Sequence, residues 1–97
     1  MKVDFSTTVK DHKGNEIKAN GNPVIIGDLV GKVLFELGLS KHATSEDKYM
    51  AYKICNRINQ SVVVELSAEE SALVVKVCSE TLAAGIYGQV RDLVEGN

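Results

Sequence analysis

An α+β fold is predicted for this chain: a small N-terminal β-hairpin packed against about four α-helices, in a single small domain. Three observations carry the prediction. Apolar and polar residues alternate with period two from Val3 to Lys10, as in a half-buried strand. Apolar residues then recur at three- and four-residue spacing in several later segments, the stripe pattern of amphipathic helices. The sequence of 97 residues has no domain linker, internal repeat or low-complexity tract, so one core serves all of it.

Val3, Phe5, Thr7 and Val9 alternate with Asp4, Ser6, Thr8 and Lys10. Asp11-His12-Lys13-Gly14-Asn15 supplies turn chemistry, because Gly14 takes positive φ without a Cβ clash and Asn15 tolerates it. Glu16-Ile17-Lys18-Ala19 alternates again, giving a hairpin over about residues 2–19 with its tip near Lys13 and Gly14. Asn20-Gly21-Asn22-Pro23 reads as a second turn.

A first helix is expected over about residues 28–37, with the Asp28 carboxylate at its N-terminus and Leu29, Val33 and Leu37 in one apolar row beside Val30 and Leu34. Gly38 stands where a C′ glycine ends a helix. A second helix is expected over about residues 45–59, with Thr44 and Ser45 as candidate N-caps and Met50, Ile54, Ile58, Ala51 and Cys55 on its apolar face. Lys48, Lys53, Asn56 and Arg57 lie opposite. Val62–Leu66 is a short β-branched run. Ser67-Ala68-Glu69-Glu70 then fits a capping box, opening a helix over about residues 67–82. Leu73, Val74, Val75, Val77, Cys78 and Leu82 make that helix apolar over much of its circumference, so it is expected to be the most buried element. Ala83-Ala84-Gly85 predicts a break or kink, and Ile86, Val90, Leu93 and Val94 a last helix over about residues 86–95, stopped by Gly96.

Composition excludes several function classes. Hydrophobic residues are 44% of the chain with no tryptophan, so the core must be built from Val, Ile, Leu and Ala. The formal net charge is −2, which gives no general attraction to nucleic acid or to an anionic membrane. Acidic residues concentrate in the last third, after Gln60. Cys55 and Cys78 fall in apolar helical rows and read as reduced, buried thiols. Met1-Lys2-Val3-Asp4 lacks the apolar centre of a signal peptide, and no apolar run approaches the roughly 20 residues of a membrane span. A cytoplasmic protein without a membrane partner is expected.

No Gly-rich dinucleotide fingerprint, phosphate loop or Cys pair at two-residue spacing is present, and no cofactor is expected. His12 and His42 read as ordinary exposed histidines, one at the hairpin tip and one in a loop. Glu65, Glu69 and Glu70 resemble paired carboxylates, but Glu69 and Glu70 sit in a first helical turn, where negative charge offsets the helix dipole. Cys55 and Cys78 lie among Ile and Val, away from the electropositive setting a nucleophilic thiolate needs. No catalytic or metal-binding residue is therefore assigned.

Binding surfaces are better represented. Lys48, Lys53 and Arg57, interleaved with Tyr49 and Tyr52, form a basic helix face, and Lys10, Lys13 and Lys18 a second basic group on the hairpin. Glycine within a helix costs roughly 1 kcal/mol against alanine, so Gly27-x-x-x-Gly31 and Gly85-x-x-Gly88 imply close backbone approach, either inside the domain or against a partner at Gly85 and Gly88. The helices over 67–82 and 86–95 carry more apolar surface than a short hairpin and two modest helices cover, which predicts self-association, most simply a two-fold dimer.

Several segments together resemble a known group. These are the Asp4-Phe5 strand, the Lys13-Gly14-Asn15 turn with Ile17 after it, and the Ile26-Gly27-Asp28-Leu29 helix start. Further on come the run Val64–Glu70, Gly88-Gln89, and Asp92-Leu93-Val94-Glu95-Gly96. The pattern spans most of the chain and resembles small proteins of tailed bacteriophages and prophages, a group largely of unassigned function. The resemblance implies a phage origin, and with it the cytoplasm of a bacterial host; it offers no catalytic residues to carry over. The expected function is a non-catalytic protein-interaction module that binds a host or viral protein, as an inhibitor, modulator or assembly factor. The alternative is a DNA-associated regulator using the basic face of helix 45–59.

Overall fold

The structure, a computed structural model, describes residues 1–37 and 43–96. In chain order the elements are β1 (Lys2–Asp4), β2 (Lys18–Ala19), β3 (Asn22–Pro23), α1 (Ile26–Phe35), α2 (Ser45–Gln60), β4 (Val63–Glu65), α3 (Ala68–Thr81) and α4 (Ala84–Glu95). Helices and two small antiparallel strand pairs surround one core, which is the α+β class the sequence predicts.

The N-terminal hairpin is built differently from the expectation. β1 pairs with β4, in the register Val3↔Val64, and not with the segment after the Gly14 turn. The cause is local. The Asp4 carboxylate accepts hydrogen bonds from the Ser6 N–H and the Ser6 hydroxyl, and the Thr7 hydroxyl donates to the Asp4 carbonyl. This Asx-type turn interrupts the alternation, leaves Thr7 exposed, and frees β1 to reach across the molecule. The tip near Gly14 does form: Asp11 N–H donates to Asn15 O at 2.8 Å, Lys10 bridges to Glu16, and Gly14 has φ 85°. Behind the tip, Val9, Ile17 and Val24 close a triangle of backbone bonds, each 2.9 Å: Ile17 N–H to Val9 O, Val24 N–H to Ile17 O, and Val9 N–H to Val24 O. Asn20 and Gly21, at φ 53° and 82°, make the tight turn between β2 and β3.

α1 begins at Ile26, ahead of Asp28, and no side chain caps it. The leading segment does that work through its backbone: Ile26 N–H donates to Thr7 O at 2.8 Å and Gly27 N–H to Phe5 O at 3.0 Å. Asp28 therefore sits in the first turn instead of at the cap, where its charge still offsets the dipole. α1 also ends earlier than expected, at Phe35; Gly38 lies outside the described residues. α2 and α3 start where predicted: Ser67 closes the expected capping box with Glu70, and of the two candidate caps of α2 it is Thr44 that serves, closing a box with Asp47 as well. The break near Ala83 is a full interruption. Leu82 and Ala83 are extended, α4 starts at Ala84, and Gly96 at φ 80° terminates it.

The core is aliphatic around one buried ring, Phe5, with Ile26, Leu34, Ile54 and Leu66 the other largest enclosed side chains. α1 is the most enclosed helix, with five of its ten residues buried, because it packs on both α2 and α3. α3, which its apolar circumference predicts to be the most buried element, is less enclosed. It buries Leu73, Val74, Val77 and Cys78 on one side, while Ala68 and Ala72 are exposed and Val75 is half-buried on the other.

Candidate interaction surfaces

The outward face of α2 carries two exposed tyrosines among the basic residues singled out in the sequence. Tyr49 is 63% exposed and Tyr52 51%. They are three residues apart, so one helical turn brings their rings together, with centroids 6.4 Å apart and planes 19° apart. Lys53, four residues after Tyr49, places its ammonium 4.9 Å from the centroid of that ring, a cation–π contact. Glu46, Met50 and Ser67 join Tyr49 and Lys53 around a shallow 380 Å³ cleft between α2 and the start of α3.

The three cations of α2 do not act as one stripe. Lys48 and Lys53 are exposed, but five residues apart they point about 140° away from each other around the helix axis. Arg57 is engaged. Its Nη1 donates to the Glu65 carbonyl at 3.0 Å and its Nη2 pairs with the Glu70 carboxylate, clasping α2 to β4 and α3. Burial pushes the Glu70 carboxyl up. The Ser67 backbone N–H and the Arg57 guanidinium outweigh that effect and hold it below its ordinary range. Glu65 is also held low, first by a hydrogen bond from the chain's amino group at 2.8 Å and then by that group's charge. Among the hairpin lysines, Lys10 is occupied by Glu16 at 3.7 Å and the Thr8 hydroxyl at 3.0 Å, whereas Lys13 and Lys18 are simply exposed.

The glycines divide sharply. At Gly27 a Cβ would stand 2.7 Å from Phe5 O and 2.9 Å from Phe5 Cβ, a true close approach. At Gly31, Gly85 and Gly88 it would meet nothing within 4 Å, so no close contact at the Cβ position requires glycine there, although Gly31 itself is buried. Gly85 instead borders an open cleft of 370 Å³ between the Gly14 hairpin and α4, beside His12, Ile17 and Ile86. Gln89 crosses this cleft as a clamp that the sequence did not reveal. Its Oε1 accepts from the Lys10 N–H at 2.7 Å, and its Nε2 donates to the Lys10 carbonyl at 2.8 Å and the Gly85 carbonyl at 3.0 Å. A primary amide carries a donor and an acceptor side by side and so pairs with both backbone groups of a single residue, but nothing in a lone glutamine's spacing announces it.

Cys55 and Cys78 are free and buried. The Cys55 thiol donates to Gly31 O at 3.4 Å, and burial raises its pKa. Burial pushes Cys78 up to about 12, which keeps it a neutral thiol near pH 7. Among the described residues no three His, Cys, Asp or Glu side chains gather to hold a metal ion, and His42 lies outside those residues. No helix among them is long and apolar enough to cross a membrane.

Two apolar grooves flank α3. One, of 710 Å³, runs between α3 and the end of α4 and is floored by Leu66, Val75 and Val94, with Met1 at its side and Lys76 and Glu95 on its rims. The other, of 310 Å³, lies between α1 and α3, with Leu29, Val33, Val77 and Leu82 as its lining and Lys32 and Glu36 at its edge. No family model matches this chain, and no curated protein or solved structure is detectably similar to it.

Proposed function

We propose that the chain is a non-catalytic protein-interaction module that binds a host or viral protein through the Tyr49–Tyr52 face of α2. One observation carries the reading: two stacked tyrosines, each more than half exposed, on a helix anchored by a capping box and by the Arg57 clasp. Tyrosine is enriched at protein interfaces because a rigid ring brings large contact area at little entropic cost. Covering the exposed halves of two such rings supplies on the order of 5 kcal/mol before ordering costs. Lys53 and Glu46 beside the rings would set orientation. The groups with shifted ionisation support a non-catalytic role, since Glu70 serves a cap and a clasp and Cys78 fills core space. The resemblance to small phage proteins makes the bacterial cytoplasm and the assembling virion the places to look for the partner.

A DNA-associated regulator would use the same helix face. Lys48 points elsewhere and Arg57 is engaged, so Lys53 is left among acidic neighbours, where several phosphate contacts would be needed. The test is parallel capture from nuclease-treated bacterial lysate on the immobilised chain and on its Tyr49→Ala/Tyr52→Ala variant. One protein retained by the first and lost by the second is expected. Retention of the same proteins by both would reject the α2 face. Micromolar binding of duplex DNA in about 0.15 M salt, abolished by Lys53→Glu, would establish the regulator instead.

A further inference from the structure

We propose that the groove beside α3 is a self-docking surface, in which a second copy of this chain lays its own α3 antiparallel across a two-fold axis passing near Ala72. The inference is independent of the α2 face: Glu70, which borders the tyrosine cleft, is directed toward α2, and the groove lies on the opposite side of α3.

The groove is apolar where a helix would enter it. Leu66, Val75 and Val94 form its floor, and Ala68 and Ala72 form a low wall on α3. Ala68, Ala72 and Val75 recur at four- and three-residue spacing, so they share one helical face. With alanine at the crossing, two helix axes approach to the short end of the usual 8–10 Å range. The same surface lies open in one copy, with Ala68 and Ala72 both exposed.

Charge identifies the occupant as this chain itself. Glu69 and Lys76 are seven residues apart, nearly two helical turns, and so stand on one stripe on either side of Ala72. Neither side chain takes part in a hydrogen bond or ion pair with another described residue. A two-fold axis near Ala72 runs the partner's α3 in the opposite direction, so Lys76 of each copy falls beside Ala68 and Glu69 of the other. One operation thus creates two reciprocal Glu69–Lys76 pairs at the rims of two facing alanines, the isologous arrangement of a closed dimer. A parallel helix of the same chain would put the two stripes on opposite flanks of the contact and form neither pair. A heterologous partner would need the opposite charge order built into it.

Sedimentation equilibrium of the full chain at up to about 100 μM tests the proposal, with Glu69→Lys, Lys76→Glu and the double reversal run beside it. The expected result is a monomer–dimer equilibrium weakened at least about tenfold by either single reversal and restored toward the original by the double, since the reversed pair regains opposite charges. Circular dichroism of each variant establishes that it is folded. Ala72→Arg, which keeps the helix but fills the crossing point, is expected to give a monomer. A monomer mass for the unaltered chain throughout the range overturns the proposal. A dimer indifferent to both single reversals, or a double reversal as weak as the singles, overturns it equally. None of these outcomes bears on the tyrosine face, whose residues are untouched.

Discussion

Gly27 and Gly31 lie one turn apart on α1, and replacing each by alanine should move stability in opposite directions. Alanine favours a helix interior over glycine by about 1 kcal/mol, so both substitutions carry up to that gain. At Gly31 nothing stands within 4 Å of the new methyl, and the gain is kept. At Gly27 the methyl would meet the Phe5 carbonyl at 2.7 Å and the Phe5 Cβ at 2.9 Å, distances that force something to move. The obstacle is backbone, and it cannot swing away. Moving it disturbs the Gly27 N–H···O bond to Phe5 and the seat of the one buried aromatic ring. Overpacking of this kind costs about 1–3 kcal/mol, and straining the hydrogen bond adds about 1 kcal/mol. Against the helical gain, Gly27→Ala should lose about 1–3 kcal/mol net. For a domain of this length each kcal/mol shifts Tm by about 4–8 °C. Urea and thermal unfolding followed by circular dichroism would read a large fall for Gly27→Ala and no change or a small rise for Gly31→Ala. Equal effects of the two, or a stable Gly27→Ala, would show that the contact between Phe5 and α1 is not what caps this helix.

Other outcomes follow from the same structure. Gln89→Glu keeps an acceptor for the Lys10 N–H but loses the donor to the Lys10 and Gly85 carbonyls, so it should cost about 1 kcal/mol and speed amide exchange in the Gly14 hairpin. Cys78 has its thiol pKa raised from 9.0 to about 12 in the fold, so its contribution is intact below about pH 9 and is lost as pH rises toward 12. The loss should run at up to about 1.4 kcal/mol per pH unit. Cys78→Ala should flatten that alkaline fall in urea midpoints while lowering neutral stability by about 1 kcal/mol. Glu70 has its pKa lowered from 4.5, so the stability it adds is present above about pH 4.5 and disappears as pH falls through its lower folded value. Glu70→Gln should remove part of the acid slope, with a measurement of unfolding between about pH 5 and pH 2 as the check.

Local contacts leave a signal in the sequence and long-range ones do not. Ser67 and Glu70, or Thr44 and Asp47, are three residues apart and satisfy each other, so a capping box can be recognised without knowing the fold. Gly14 and Asn20-Gly21 likewise fix their turns locally. The partner of β1 is Val63–Glu65, more than fifty residues away, and the period-two pattern names a buried face without naming what pairs with it. The start of α1 is not legible for the same reason: its caps are carbonyls of Phe5 and Thr7, and backbone carbonyls leave no trace in residue identity. At the interaction surfaces, Tyr49, Tyr52 and Lys53 were legible as a face because three- and four-residue spacing is a helical property. The engagement of Arg57 by Glu65 and Glu70 was not legible, since it depends on how α2 lies against β4 and α3.

The proposed contact surface for a protein partner is the tyrosine face of α2. The most direct measurement is calorimetric titration of the purified captured partner with the unaltered chain, with Tyr49→Ala and with Tyr52→Ala. Each substitution, which leaves the core untouched, is expected to weaken binding at least about tenfold while the unfolding midpoint stays in place. Unchanged affinity in both variants would contradict it and move the contact to another face of the molecule.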